Sequence, residues 1–244
     1  DQGSFKVIFT DDITGKTIDG VGTNITADFD TPIIYNIDDD IKKLTDDGYE
    51  YDSTDGKVPD KITANESTTV TVHMKHGIFE ITSKTPTDKL PKSLDKDLTP
   101  DKLTKTVTET ISYVNEDGTP FTGQVPENAK QTIAFTGTAY VDGVTGKLVN
   151  VKTVNGKLVL DTDDTKTPEI IWSSSKNSFD KVVSPLEKGY HVDKVSDHAD
   201  GTDVAAISGI TPDSKDVAIT VSYAKDKTSN KPAKSNKPAD TGNH

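Results

Sequence analysis

The sequence predicts an α+β, β-rich protein made of two related units in tandem, the second enlarged by an inserted β-hairpin. Three observations carry this reading. Apolar side chains recur at period two in several short runs, each bounded by Asp, Asn or Gly. One stretch shows a clear helical period. The order of elements in the first third of the chain then returns, with matching residues, in the second half.

In the first unit, Phe5, Val7 and Phe9 alternate inward and form an opening strand. Residues 11–24 are rich in turn formers and lead into a second strand over 25–29. Ile37, Ile41 and Leu44 fall at i, i+4 and i+7, one stripe of a helix. Asp38 or Asp39 is placed to cap its N-terminus, and Gly48 to end it at C′. A strand over 49–51, a loop holding Asp55-Gly56 and Pro59, and a last strand over 69–74 complete the unit. Strand, strand, helix, strand, strand is the order of a β-grasp, or ubiquitin-like, fold, with the first and last strands side by side.

Residues 1–77 are thus expected to be a smaller β-grasp domain. Residues 78–104 carry Pro86, Pro91 and Pro100 among many lysines and aspartates and read as a linker. A larger β-grasp domain is expected over 105–225, with the two domains in tandem. It opens with the stretch 106–118, where Val107, Ile111 and Tyr113 share one face before a turn at Asn115–Gly118. A strand over 132–135 follows, then an insertion over 137–178, where Asn155-Gly156 between alternating apolar residues signals a β-hairpin. A short segment before Gly189-Tyr190 reads as helical, and Val217, Ile219, Val221 and Tyr223 alternate along the last strand. VIFTDD pairs with ISYVNED, KKLTDDGYEYD with SPLEKGYHVD, and VTVHMKH with ITVSYAK. Residues 226–244, with NKPA twice and few apolar side chains, read as a disordered or extended inter-repeat linker.

Composition narrows the function. Apolar residues make up 31% of the chain. Counting its 17 glycines as well still leaves it short of the roughly 45–50% of ordinary globular domains. The core is therefore lean. A net charge of −12 and the absence of arginine argue against nucleic acid and anionic membrane surfaces as partners. The chain contains no cysteine, so no disulfide staples it. No run of residues is long and apolar enough for membrane insertion. The chain opens at Asp1 and reads as an excised piece of a larger protein.

No GxSxG, HExxH or glycine-rich phosphate loop occurs; of the five histidines at 73, 76, 191, 198 and 244, His73 and His191 lie on or beside strands whose neighbours point inward, and His244 lies in the tail. The protein is therefore expected not to be an enzyme, with no catalytic residue and no cofactor. Asp38–Asp40, Asp161–Asp164 and Asp193, Asp197, Asp200 and Asp203 are acidic clusters, none with EF-hand spacing. No firm metal site is assigned; weak calcium binding at 193–203, near Gly201, is the one ion expectation. Trp172 and the tyrosines can act as sugar-stacking platforms, although core packing explains Trp172 better.

TVTETISYVNEDGTPF, QTIAFTGTAYVDGVTGKLV, the tryptophan, FDKVVSPLEKGYHVD and ITPDSKDVAITVSY resemble the mucin-binding (MucBP-type) repeats of Lactobacillus surface mucus adhesins. The likeness is strong over 104–224 and weaker but collinear over 3–77. It implies an extracellular adhesin repeat on the bacterial cell surface, cell-wall anchored through other parts of the protein. Its implied partner is host mucin glycoprotein, bound weakly per repeat and multivalently in the full protein. Neighbouring repeats of the same chain are further partners, and the repeat itself is expected to be a monomer. The resemblance transfers no ligand-binding residue, so these stay unassigned. Two alternatives stand beside it: a structural stalk spacer without a ligand, and an immunoglobulin-binding surface module.

Overall fold

The computed structural model describes residues 1–227. The NKPA-containing stretch and most of the expected terminal linker lie outside the described residues. In chain order the first strands are β1 (Gln2–Asp11), β2 (Lys16–Thr17), β3 (Thr23–Asp28), β4 (Tyr49–Asp55), β5 (Ser67–His76) and β6 (Ile78–Ile81). The next are β7 (Thr104–Asn115), β8 (Lys130–Asp142), β9 (Val151–Val154), β10 (Lys157–Leu160) and β11 (Ile171–Ser173). The last are β12 (Tyr190–Val195), β13 (Ala199–Asp200), β14 (Asp203–Val204) and β15 (Val217–Lys225). Among the described residues one α-helix, α1 (Ile37–Asp46), forms, between β3 and β4. The chain divides into two compact units, one holding 1–104 and 136–173, the other 105–135 and the described residues from 174 on.

In the first unit β1 runs parallel to β5, with Val7 opposite Val70, and is flanked on its other edge by β2 and β3. β4 closes the far edge antiparallel to β5. Period-two alternation places Phe5, Val7, Phe9, Val70, Val72 and Met74 in one core, all 3% exposed or less. Leu44 of α1 packs onto this core, joined by the half-buried Ile37 and Ile41. The helix cap differs from expectation. Asn36 accepts from the Asp38 amide at 3.0 Å, and Asp38–Asp40 occupy the first turn, where carboxylates complement the helix dipole. Gly48 ends the helix at φ 97°, as its position predicts.

The segment over 78–104 is packed, not a free linker. β6 pairs with β8, three short 3-10 turns follow, and Ile81 and Leu103 are fully buried. Pro86 caps the first of those turns and Pro100 opens the third. Of the insertion expected in the second unit over 137–178, residues up to 173 group with the first unit, as part of 136–173. The Asn155-Gly156 hairpin forms as expected between β9 and β10. Asn155 sits at φ 50° and Gly156 at φ 78°.

The second unit repeats the parallel central pair. β7 lies beside β15, with Ile111 opposite Ile219, and β12 closes one edge antiparallel to β15. Val107, Ile111, Tyr113, Ile219, Val221 and Tyr223 are buried as alternation requires. The helix expected before Gly189 does not form. Phe179 and Val182 are instead fully buried through isolated bridges to Ile207 and Val204. Those bridges pair the backbone groups of Phe179 and Val182 with the 204–207 stretch in place of helical partners.

Candidate binding groove

The first unit has a groove between α1 and the edge strand β4. A bulge between Tyr51 and Ser53 breaks the pairing of β4 with β5, and such bulges re-aim neighbouring side chains. Tyr51 is 42% exposed and shares a 2.7 Å hydrogen bond with the Thr54 hydroxyl, which fixes its phenol. Ile37 and Ile41 of α1 and Val58 supply the apolar wall, and Asp38 and Lys57 the polar rim. The volume is about 540 Å³, inside the range of small-ligand clefts. An aromatic ring, aliphatic walls and a rim of carboxylate, hydroxyl and ammonium suit a ligand with both C–H faces and hydroxyl groups.

The other candidates fall differently. Trp172 is half-buried opposite Gly137 in the β8–β11 pair, and a Cβ on that glycine would lie 3.0 Å from the indole. The ring lies over a glycine. The acids at 193–203 have separate partners apart from one shared lysine. Asp200 and Asp203 both contact Lys181, at 3.0 and 3.7 Å, while Asp197 contacts His198 at 3.3 Å. Among the described residues no group of three or more His, Asp or Glu side chains is arranged to hold a metal ion.

Two hubs escaped the sequence reading. Glu187 is buried in the second unit and accepts from Asn115 Nδ2 at 2.8 Å and from the Thr122 amide at 2.9 Å. The second hub is a histidine on β5. His73, whose strand neighbours point inward, sits on the outer face between Asp12 and Asp55. The buried histidine is His76, which continues the inward period of Val70, Val72 and Met74.

A family described as Muc B2-like domain matches residues 98–227, more than half of the chain. The chain belongs to the Muc B2-like domain family. A second family, described as mucin binding domain, matches residues 3–76 of this Muc B2-like chain, the stretch that carries the groove. Among solved structures it is similar to Mub-RV, at 26% identity over 92% of this chain and 100% of that one, with a TM-score of 0.58. It is also similar to the type 2 repeat of the mucus binding protein MUB from Lactobacillus reuteri. There the identity is 23% over 92% of this chain and 100% of that one, with a TM-score of 0.48. A third similarity is to the MucBP domain of an adhesion protein from Pediococcus pentosaceus. It reaches 31% identity over 50% of this chain and 99% of that one, with a TM-score of 0.31. No curated protein matches the Muc B2-like chain. Neither matched family describes an enzyme. Among the described residues no helix is long and apolar enough to cross a membrane.

Proposed function

We propose that this chain is one repeat of an extracellular bacterial mucus adhesin that binds host mucin glycoproteins, weakly per repeat and multivalently along the parent protein. The observation that carries this reading is the mucin binding domain match over 3–76, on the same residues that build the groove. We take the Tyr51 groove as the glycan contact. A sugar's C–H face stacks on the phenol ring and isoleucines, and its hydroxyls reach Asp38, Thr54 and Lys57.

With a net charge of −12, the chain gains no long-range attraction to sialylated or sulfated glycans. Short-range contacts must hold the ligand, so affinity per repeat is low and repetition raises it through effective concentration. Binding of one repeat and of a tandem array to immobilised mucin, at several salt concentrations, tests this. The array is expected to bind far tighter, without weakening as salt rises. Equal affinity refutes the multivalent account. Absence of binding by both supports the spacer reading, and capture by Fab or Fc fragments instead supports an immunoglobulin surface.

A further inference from the structure

Two turns of the first unit share one design. Residues 11–16 read DDITGK and residues 142–147 read DGVTGK. In the first, Asp11 Oδ1 accepts the amides of Ile13 and Thr14 at 2.9 and 3.2 Å. In the second, Asp142 Oδ1 accepts those of Val144 and Thr145 at 2.8 and 3.1 Å. Each aspartate carbonyl then accepts from a glycine amide, Gly15 at 2.7 Å and Gly146 at 2.8 Å, with φ of 75° and 72°. One carboxylate oxygen of each aspartate is thereby used by its own turn, and the other is left to point away from it.

Both remaining oxygens meet one imidazole. His76 Nε2 lies 2.7 Å from Asp11 Oδ2, and Nδ1 lies 2.6 Å from Asp142 Oδ2. The three side chains are 3%, 8% and 6% exposed, so water does not stand in for a missing partner. Two hydrogen bonds among these three groups need two protons. An imidazolium between two carboxylates supplies them, as does a neutral ring with one protonated aspartate. With a single proton the neutral ring can serve only one aspartate, and its bare nitrogen then faces a buried carboxylate.

We propose that His76 is a proton-dependent latch that fastens turn 142–147 to turn 11–16 inside the first unit and lets one of them go when its second proton leaves. A glycine seam runs beside the latch. The Gly77 amide donates to Gly48 O and the Gly143 amide to Gly77 O, both at 2.8 Å. The seam is closed to side chains: a Cβ on Gly143 would lie 2.7 Å from Gly48 O.

The groups around the ring set the direction of the response. Besides Asp11 of β1 and Asp142 of β8, Tyr49 of β4 stands edge-on at 5.6 Å, and Asp47 lies at the helix end near it. Glu50 of β4 and Lys75 of β5 line a groove of about 340 Å³ that reaches His76; they are paired with Lys157 at 3.0 Å and Asp52 at 3.1 Å. Burial pushes the His76 pKa down, but hydrogen bonds to Asp142 and Asp11 outweigh it and hold the ring above its ordinary 6.5. Burial likewise opposes the Asp142 charge, yet the His76 bond and two amides hold it below 3.8. A raised histidine stabilises fully below 6.5 and loses that stability as pH rises through its folded value. A depressed aspartate stabilises above 3.8 and loses it as pH falls through its folded value. Both contributions are fully present between 3.8 and 6.5, and the latch itself stays closed above 6.5 until the raised histidine gives up its proton.

NMR titration of the assigned His76 ring in the full chain, together with amide exchange of 142–147 corrected for intrinsic rate, tests the latch. The expected result is a ring or triad that keeps its second proton above pH 6.5, with protection of 142–147 falling across the same midpoint. In Asp142→Asn the midpoint is expected to move down by about one to three pH units, because one opposing charge is gone. A triad holding a single proton at pH 6, or protection that ignores the midpoint, overturns the proposal. The wild-type titration decides the matter even where the variant folds poorly.

Discussion

Gly48 and Gly143 are in backbone contact: a Cβ built on Gly48 would lie 2.0 Å from the Gly143 carbonyl oxygen. Gly48 also sits at φ 97°, a conformation that costs other residues energy. Its two demands act on one atom, so no rotamer relieves them. Gly48→Ala is expected to destabilise the chain by about 2–4 kcal/mol. Urea unfolding measures this, and a loss below about 0.5 kcal/mol would show that the contact is loose.

Glu187 anchors a loop of the second unit. Its Oε2 takes the Asn115 amide and both the backbone and hydroxyl of Thr122. Glu187→Ala strands those donors in a buried place, for an expected cost of about 2–4 kcal/mol. Glu187→Gln keeps an acceptor and should recover part of it. Equal stability of the two variants would deny the hub its role.

Alternation made both central strand pairs legible, from Phe5 to Phe9 and from Val217 to Tyr223, because half-burial writes itself at period two. The same rule places His76 and Asp11 inside: each lies two residues beyond a buried apolar side chain, at Met74 and Phe9. A polar residue closing a strand also looks like a turn former, and that ambiguity hides them. The DxxTGK repeat is equally visible, yet what it does depends on a histidine at position 76, and no local pattern reports that distance. Leu98 and Leu103 are lost among prolines and lysines, since isolated apolar residues in a turn-rich segment carry no period. The Tyr51 groove depends on a bulge in β4, which leaves no mark in apolar spacing.

Glu109 carries a pH prediction. It is fully buried on β7; Gln131 donates to one oxygen at 3.2 Å, and the other has no hydrogen-bond partner among the described residues. Burial raises its pKa above the ordinary 4.5, with His198 and the Gln131 bond pulling the other way. Because the folded value is the higher one, stability is favoured below the unfolded value and lost as pH rises through the folded one. Glu109→Gln removes that loss. It should stabilise the chain at pH 7 by on the order of 1 kcal/mol, with the gain closing toward pH 4. Denaturant midpoints at both pH values check it, and a gain of equal size at pH 4 would assign the effect to packing.

Tyr51 carries the binding prediction. Its ring is exposed over the groove, while its hydroxyl is held by Thr54 at 2.7 Å. If the ring is the stacking surface, Tyr51→Ala should weaken mucin binding by about five-fold or more, since aromatic contacts are worth about 1 kcal/mol beyond area. Tyr51→Phe should lose less, because stacking needs the face and not the hydroxyl. Tyr190 serves as the control. Its hydroxyl donates to Asp117 at 2.7 Å in the second unit, and Tyr190→Phe should leave binding unchanged. In a tandem array the Tyr51→Ala loss should multiply with each repeat engaged, because avidity compounds small differences. Full binding by Tyr51→Ala, with folding shown intact, would move the contact away from the α1–β4 groove while leaving the adhesin reading in place.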